Sequence, residues 1–250
     1  MKWLRAVALP VVLLAAWELI CRSGKVSPAI LPAPSQVARK WVEYLLSGEL
    51  PRDAASSLYR VLVGFLIGAG LALPLGLLMG ARKKAYEALN PMVQLLRPIP
   101  PIAFIPLAIL WFGLGNKPAF FLISLGAFFP VLLNTVAGVR GVDEIYLRAA
   151  RSLGASEAAL FRRVLLPGAL PSILSGVRVG IGVAFIVVIV AEMIAVNEGL
   201  GYRILEAREF FWSDKILAGM ISIGLIGLAI DAGMSRLNAR LLRWQRVSDD

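Results

Sequence analysis

Residues 61–81, 98–116 and 119–139 each run without one charged side chain. Each is long enough to cross a bilayer as a helix, which takes about 20 mostly apolar residues. Residues 179–191 and 216–230 are two further uncharged cores with apolar flanks. Residues 6–17 make a shorter run, followed by Glu18, Leu19, Ile20 and Cys21. In lipid every backbone N–H and C=O must be satisfied within the segment, so such runs read as helices. The spacing predicts an all-α membrane protein with six transmembrane helices, near 3–21, 59–80, 91–113, 118–139, 170–195 and 215–236. Composition agrees: 58% of residues are hydrophobic and 17% charged, against roughly 45–50% and about 25% in a soluble domain. With no His and one Cys, a Ser-His-Asp triad, a Cys-His dyad, a His/Cys zinc site and an internal disulfide are excluded. Lys2 and Arg5 precede the first apolar run as in a signal peptide, but Glu18 and Arg22 stand where a cleavage site belongs, so the segment is expected to stay.

The net charge of +10 is read through topology. With the N-terminus inside, the inner segments hold Lys2, Arg5, Arg82, Lys83, Lys84, Arg140, Arg148, Arg151, Arg162, Arg163, Arg236, Arg240, Arg243 and Arg246, fourteen in all. The outer segments hold nine: Arg22, Lys25, Arg39, Lys40, Arg52, Lys117, Arg203, Arg208 and Lys215. The positive-inside rule then puts both termini in the cytoplasm. The basic excess reads as anchoring to anionic lipid, not as a nucleic-acid site. The outer stretch 22–57 contains Leu31-Pro32-Ala33-Pro34-Ser35. Its prolines hold the chain extended. Ser35 can cap a helix through Val37, Trp41, Tyr44 and Leu45, which either lies on the outer surface or is a plain connector.

The third span carries Pro91, Pro98, Pro100, Pro101 and Pro106 and cannot be a regular helix. A broken helix survives at membrane depth only where protein covers it or water reaches it. Arg97 sits beside the break and either snorkels to the inner headgroups or faces a wet pathway. Three acids also fall within spans. Glu18 and Asp231 read as interfacial residues with a nearby base, which for Asp231 is Arg236. Glu192 has no following base until Arg203, so it is either interfacial or part of a gate or helix pairing. The pairs Gly64/Gly68, Gly76/Gly80 and Gly176/Gly180 permit close helix approach and point to a packed bundle.

The longest inner loop has the pattern of two short helices. Asp143 and Glu144 suit the first N-terminus, Gly154 its C-terminal cap, and Ser156 with Glu157 the second start. Pro167 is expected to end the second helix. Leu147, Ala150, Leu153 and Leu160 form an apolar ridge rimmed by arginines, suited to a groove on a cytoplasmic partner.

This loop resembles the "EAA" loop of bacterial ABC importer permeases: Arg148-Ala149-Ala150, three residues, Gly154, nine residues, Val164, one residue, Leu166-Pro167. Arg148 stands where Glu is usual and Val164 where Ile is usual. The change of sign at 148 bears on any salt bridge made there and leaves the docking helix in place. Leu31 through Val37, the Arg97-Pro98-Ile99-Pro100-Pro101 stretch, Ile109 through Gly115, Ala191-Glu192-Met193 and Gly199-Leu200-Gly201-Tyr202 are similar to the nitrate/sulfonate/taurine branch. The resemblance covers about residues 30–245. It implies a type I importer fold and a second copy of the permease. It also implies a cytoplasmic ATPase dimer, a periplasmic or lipid-anchored binding protein, and a location in the bacterial inner membrane. The segments divide as 1–54, an N-terminal helix and outer surface piece; 55–240, the transmembrane domain with its coupling loop at 140–168; and 241–250, a cytoplasmic tail. Coupling falls to Arg148, Ala149, Ala150, Gly154, Val164, Leu166 and Pro167. Pathway candidates are Arg97, Pro98, Pro100, Pro101, Arg178 and Glu192, the arginines because that branch moves small oxyanions. No metal site, cofactor site or catalytic residue is expected here. The only Gly-Lys pair, Gly24-Lys25, is followed by Val26, which is no P-loop. ATP and Mg are therefore assigned to the partner. The competing reading is a secondary transporter or channel, which needs intramembrane acids for coupling ions.

Overall fold

The computed structural model describes residues 2–242, and all regular structure among them is helical. In chain order the α-helices are α1 (Lys2–Arg22), α2 (Pro34–Leu46), α3 (Glu49–Ala81), α4 (Lys83–Leu96), α5 (Ile105–Phe112), α6 (Asn116–Arg140), α7 (Glu144–Ser152), α8 (Glu157–Leu160), α9 (Leu166–Ala195), α10 (Leu200–Glu209) and α11 (Ser213–Leu241). A 3-10 turn, Pro101–Phe104, precedes α5, and a π-helical turn, Phe161–Leu165, joins α8 to α9.

Four helical rods are long and apolar enough to cross a membrane: α3, α6, the continuous Glu157–Ala195 rod, and α11. A fifth crossing arises if α4 and the Pro101–Phe112 piece, bent by 79°, count as one. Helix α1 covers the segment expected as the first span. The expected span at 59–80 begins ten residues earlier, at Glu49. The expected span at 91–113 begins at Lys83 and is not one helix. Pro91 is tolerated within α4, and the chain breaks instead at Pro98–Pro100, before the turn at Pro101. Of the expected tail 241–250, Leu241 still belongs to α11, and residues 243–250 lie outside the described residues.

Helix α6 is the centre of the bundle. Leu122, Ile123, Ala127, Val131 and Leu132 are fully buried between α3 and α9. In lipid no hydrophobic force draws apolar helices together, so their association depends on close packing. Each heavy-atom contact contributes only ~0.1–0.2 kcal/mol, and many are needed. The expected small-residue stripes supply them. A Cβ on Gly68 would overlap the Ser124 carbonyl oxygen, and one on Gly176 would come within 2.5 Å of the Asn134 Cβ. Leu62, Leu66, Leu71, Leu110 and Leu228 are exposed on the outside of the bundle. Such a surface belongs in lipid, since soluble proteins rarely leave broad apolar patches open.

Helix α2 departs from the expected cap. Its first residue is Pro34, its N-cap is Ala33, and the Ala33 N–H donates to Gln36 Oε1 at 3.2 Å. Ser35 instead donates its N–H and hydroxyl to Glu18 at 3.0 and 2.7 Å, tying α1 to α2. Glu18 also meets Arg22 at 2.6 Å, the nearby base expected for it. The face assigned to Val37, Trp41 and Tyr44 is turned onto protein: Val37 and Tyr44 are buried, and Trp41 Nε1 donates to Ser222 Oγ of α11 at 2.9 Å. Leu45 remains exposed.

Candidate functional site

Directions alternate along the bundle. Glu49, Asn116, Ala195 and Ser213 gather at one end, and Ala81, Arg140, Leu166 and Leu241 at the other. A distinct set of polar residues occupies each end.

At the Ala195 end a polar cluster is buried between α3, α9 and the 196–201 segment. Asp53, Ser57 and Arg60 lie on one face of α3 and are each at most 1% exposed. Arg60 Nη1 donates to Glu192 Oε1 at 2.7 Å and to the Glu198 carbonyl at 2.9 Å. Its Nη2 reaches Glu198 Oε1 at 3.0 Å, and its Nε reaches Asn116 Oδ1 at 2.7 Å. The other Glu192 oxygen accepts from Ser57 Oγ at 2.9 Å and from the Gly201 N–H at 3.0 Å. Ser57 Oγ in turn accepts from the Leu200 N–H at 3.0 Å. Asp53 receives the Tyr44 hydroxyl at 2.6 Å, Arg203 Nε at 2.8 Å and the Gly199 N–H at 3.1 Å. Gly199 sits at φ +110°, and a Cβ there would meet the Glu192 carboxylate at 2.5 Å. The Gly199-Leu200-Gly201 motif is thus a backbone cradle for two buried carboxylates. Burial, then the bond to Asp53, pushes the Tyr44 phenol far above its ordinary range. For Arg203 burial works the other way, but its bonds to Glu206 and Asp53 prevail, and the guanidinium is held above its ordinary value.

The sequence pattern singles out Glu192 but does not single out Arg60. The buried partner of Glu192 is Arg60, 132 positions earlier in the chain. One signal was available: Asp53, Ser57 and Arg60 continue the face that carries Gly64 and Gly68.

At the Arg140 end stands the 141–165 loop. Its local chemistry follows expectation. Asp143 caps α7, accepting from the Ile145 N–H at 2.9 Å, and Ser156 caps α8, accepting from the Ala159 N–H at 3.3 Å. Gly154 takes φ +80°. The Gly154 N–H meets the Arg151 carbonyl and the Ala155 N–H meets the Ala150 carbonyl, closing the helix end as a Schellman motif does. Arg148 pairs with Glu144 one turn back at 2.8 Å, and that bond holds its charge above the ordinary arginine range.

Two expectations for this loop are corrected. Pro167 does not end the second helix; the chain passes through Phe161–Leu165 into α9 as one rod of 39 residues. The Leu166 N–H reaches back to the Phe161 carbonyl, a wider π turn that receives a proline lacking its own N–H. Nor do the four ridge residues share an outward face. Leu160 is buried and Leu147 and Ala150 half-buried, while Leu153 stands 88% exposed, and Ile145 and Tyr146 are exposed too. Ala149, Arg148 and Gly154 are exposed; Val164 and Leu166 are half-buried where the loop joins α9.

The pathway candidates are dispersed. Arg97, Pro98 and Pro100 are exposed at the bend after α4, and Pro101 is half-buried, near Gly126 of α6. Arg97 makes no side-chain hydrogen bond among the described residues. Arg178 of α9 donates both Nε and Nη2 to Asp231 of α11, each at 2.8 Å. The base beside Asp231 is therefore Arg178, not Arg236. At ~1.5 Å per residue this pair lies about 18 Å from the Leu166 end of α9 and about 15 Å from the Leu241 end of α11. Glu192 belongs to the buried cluster.

A bundle with an apolar outer face, a bent crossing, and a capped helical hairpin continuous with one span has the build of a multi-pass membrane protein. The chain belongs to the family of binding-protein-dependent transport system inner membrane components, whose pattern matches residues 72–247. It is 41% identical to the putative aliphatic sulfonates transport permease protein SsuC of Bacillus subtilis, over 97% of this chain and 88% of that one. It is 37% identical to the taurine transport system permease protein TauC of Escherichia coli, over 93% and 86%. It is 33% identical to the nitrate import permease protein NrtB of Synechocystis, over 92% and 86%. The fold matches a chain of the inward-facing MetNI methionine ABC transporter with a TM-score of 0.68 at 19% identity, covering 78% of this chain and 97% of that one.

Proposed function

We propose that this ABC importer permease carries a small oxyanion, a sulfonate, taurine or nitrate-like substrate, through a pathway enclosed by two copies of itself. The relatives named for such substrates support the substrate class. The observation that carries the mechanism is the Glu157–Ala195 rod. The α7 hairpin that leads into it exposes Leu153, Ile145 and Tyr146, apolar side chains of the kind that seat in a groove. A cytoplasmic ATPase dimer, holding ATP and Mg, closes on nucleotide and pushes this loop. The rod transmits the push without a hinge, and the bundle rocks as a rigid body to open the opposite side. In this orientation the Arg140 end and both termini face the cytoplasm of a bacterial cell, and a binding protein docks at the Ala195 end. The pathway runs past the broken third span and spans two, four and five.

Of the two arginines weighed for the anion, Arg97 keeps its guanidinium exposed at the break. Arg178 reaches an anion only by leaving Asp231. Arg97 therefore softens the barrier, and Pro98, Pro100 and Pro101 hold it beside the opening. Membrane lipid covers the leucine-rich outer face.

Reconstitution of the permease with its ATPase and binding protein in proteoliposomes tests this reading. ATP-dependent uptake of labelled taurine, an alkanesulfonate or nitrate is expected, and removal of residues 143–166 is expected to abolish copurification of the ATPase. Uptake that proceeds without ATP, or an intact complex lacking the loop, overturns it.

A further inference from the structure

The permease reading leaves the buried cluster at the Ala195 end unexplained. A push on the loop travels along the Glu157–Ala195 rod, but it reaches the outer surface only if the rod's far end cannot bend or slide. That end is fixed in several directions at once. Glu192, fully buried, is bound to α3 by Arg60 and Ser57 and to the chain beyond α9 by the Gly201 N–H. Arg60 also reaches Asn116, the first residue of α6, and both the carbonyl and the carboxylate of Glu198. The Gly115 N–H donates to the Ala195 carbonyl at 2.7 Å. Between these groups opens a cleft of about 290 Å³, lined by Arg60, Leu114, Asn116, Val196, Asn197 and Glu198.

Apolar contacts alone tolerate sliding, because they are numerous, weak and without direction. A buried ion pair with every oxygen engaged does not, since a slip of one residue, ~1.5 Å along a helix, would break its hydrogen bonds together. Fixing register is the best-attested use of buried charge.

We infer that Arg60 and Glu192 are positioning residues of the transport cycle. The pair joins the 195–201 segment and the outer ends of α3 and α6 to the rod, so that ATPase closure moves the rim of the outer cleft with the coupling loop as one piece. Neither residue contacts substrate in this role. The inference rests on the permease reading and adds a specific transmission element to it.

The test uses the complete importer in proteoliposomes. Glu192→Gln keeps the shape and an acceptor for Gly201 but removes the charge. The complex is expected to assemble and hydrolyse ATP, while substrate imported per ATP falls about tenfold, within the usual 5–150-fold span of site coupling. A merely structural role would lower the amount of complex and leave that ratio alone. A second measurement keeps the native pair: spin labels at exposed Arg52 and Asn197 in a Cys21→Ser background, with one labelled chain per complex. Their separation is expected to stay the same between the nucleotide-free and ATP-locked states. A shift beyond two helical residues, ~3 Å, overturns the inference, as does a parental import ratio in Glu192→Gln. Should Glu192→Gln fail to assemble, the label distance decides. A parent complex that imports without ATP removes the permease reading instead.

Discussion

Replacing Arg60 with Met is expected to destabilise the bundle more than any surface substitution could. The loss can be worked from its four acceptors. Glu198 is 42% exposed and can turn to water, so that contact counts for little, as exposed pairs are worth ~0–1 kcal/mol. Asn116 and the Glu198 carbonyl are only partly buried. Glu192 is different: it is 0% exposed and keeps only Ser57 and Gly201 once the guanidinium is gone. A buried charge left without its partner costs roughly 3–5 kcal/mol. At about 2–4 °C per kcal/mol for a chain of this size, the midpoint in detergent falls by roughly 6–20 °C. The Arg60→Met/Glu192→Met double variant has no stranded charge. It orphans the Gly201 N–H, a penalty of ~1–3 kcal/mol, so it is expected to be more stable than Arg60→Met alone. Thermal unfolding of the four members of the cycle, followed by size-exclusion fluorescence, gives the comparison. Equal midpoints for the single and double variants would falsify the assignment of a charged, mutually compensating pair.

Gly68→Ala places a methyl group against the Ser124 backbone and is expected to cost ~1–3 kcal/mol as overpacking. Gly70→Ala, which meets nothing within 4 Å, serves as the control and is expected to be neutral or slightly stabilising in the same unfolding assay. Leu153→Asp alters a side chain 88% exposed; copurification of the ATPase should fall while the permease midpoint is unchanged. Asp231→Leu leaves the Arg178 charge unmatched about halfway along α9, so membrane-inserted yield should drop and recover in Asp231→Leu/Arg178→Leu, measured by quantitative blotting of washed membranes. Tyr44 keeps its proton in the folded chain beyond its ordinary value of 10.0. Its stabilisation is complete below that pH. Above about 10 the unfolded chain releases a proton that the folded chain retains, so stability falls as pH rises. Tyr44→Phe should flatten that alkaline decline, and an unchanged decline in the variant rules Tyr44 out as its source.

What could be read from the sequence divides by the range of the interaction that decides it. The spans were legible because the absence of charge over a bilayer's thickness is a property of one segment. The caps at Asp143, Gly154 and Ser156 were legible for the same reason, since each acts within one turn of its own helix. Pro167 was misread because the rule that proline ends a helix assumes an α-helical approach. Here the turn widens at Phe161–Leu165 and carries the chain through. That local change is what makes α8 and α9 one rod. The partner of Asp231 was misread for a different reason. A base nearby in sequence was preferred for it, whereas Arg178 lies 53 positions away; for Glu192, which has no base nearby in sequence, the partner Arg60 lies 132 positions back. Sequence distance says nothing about which faces meet across a bundle. Helical phase does say something: Asp53, Ser57, Arg60, Gly64 and Gly68 recur three to four residues apart on one side of α3. The same stripe that lets α6 approach through its glycines changes at its Glu49 end to charge and hydroxyl. A single face of α3 thus sets both the closeness of the bundle and the point at which its Glu49 end is fastened.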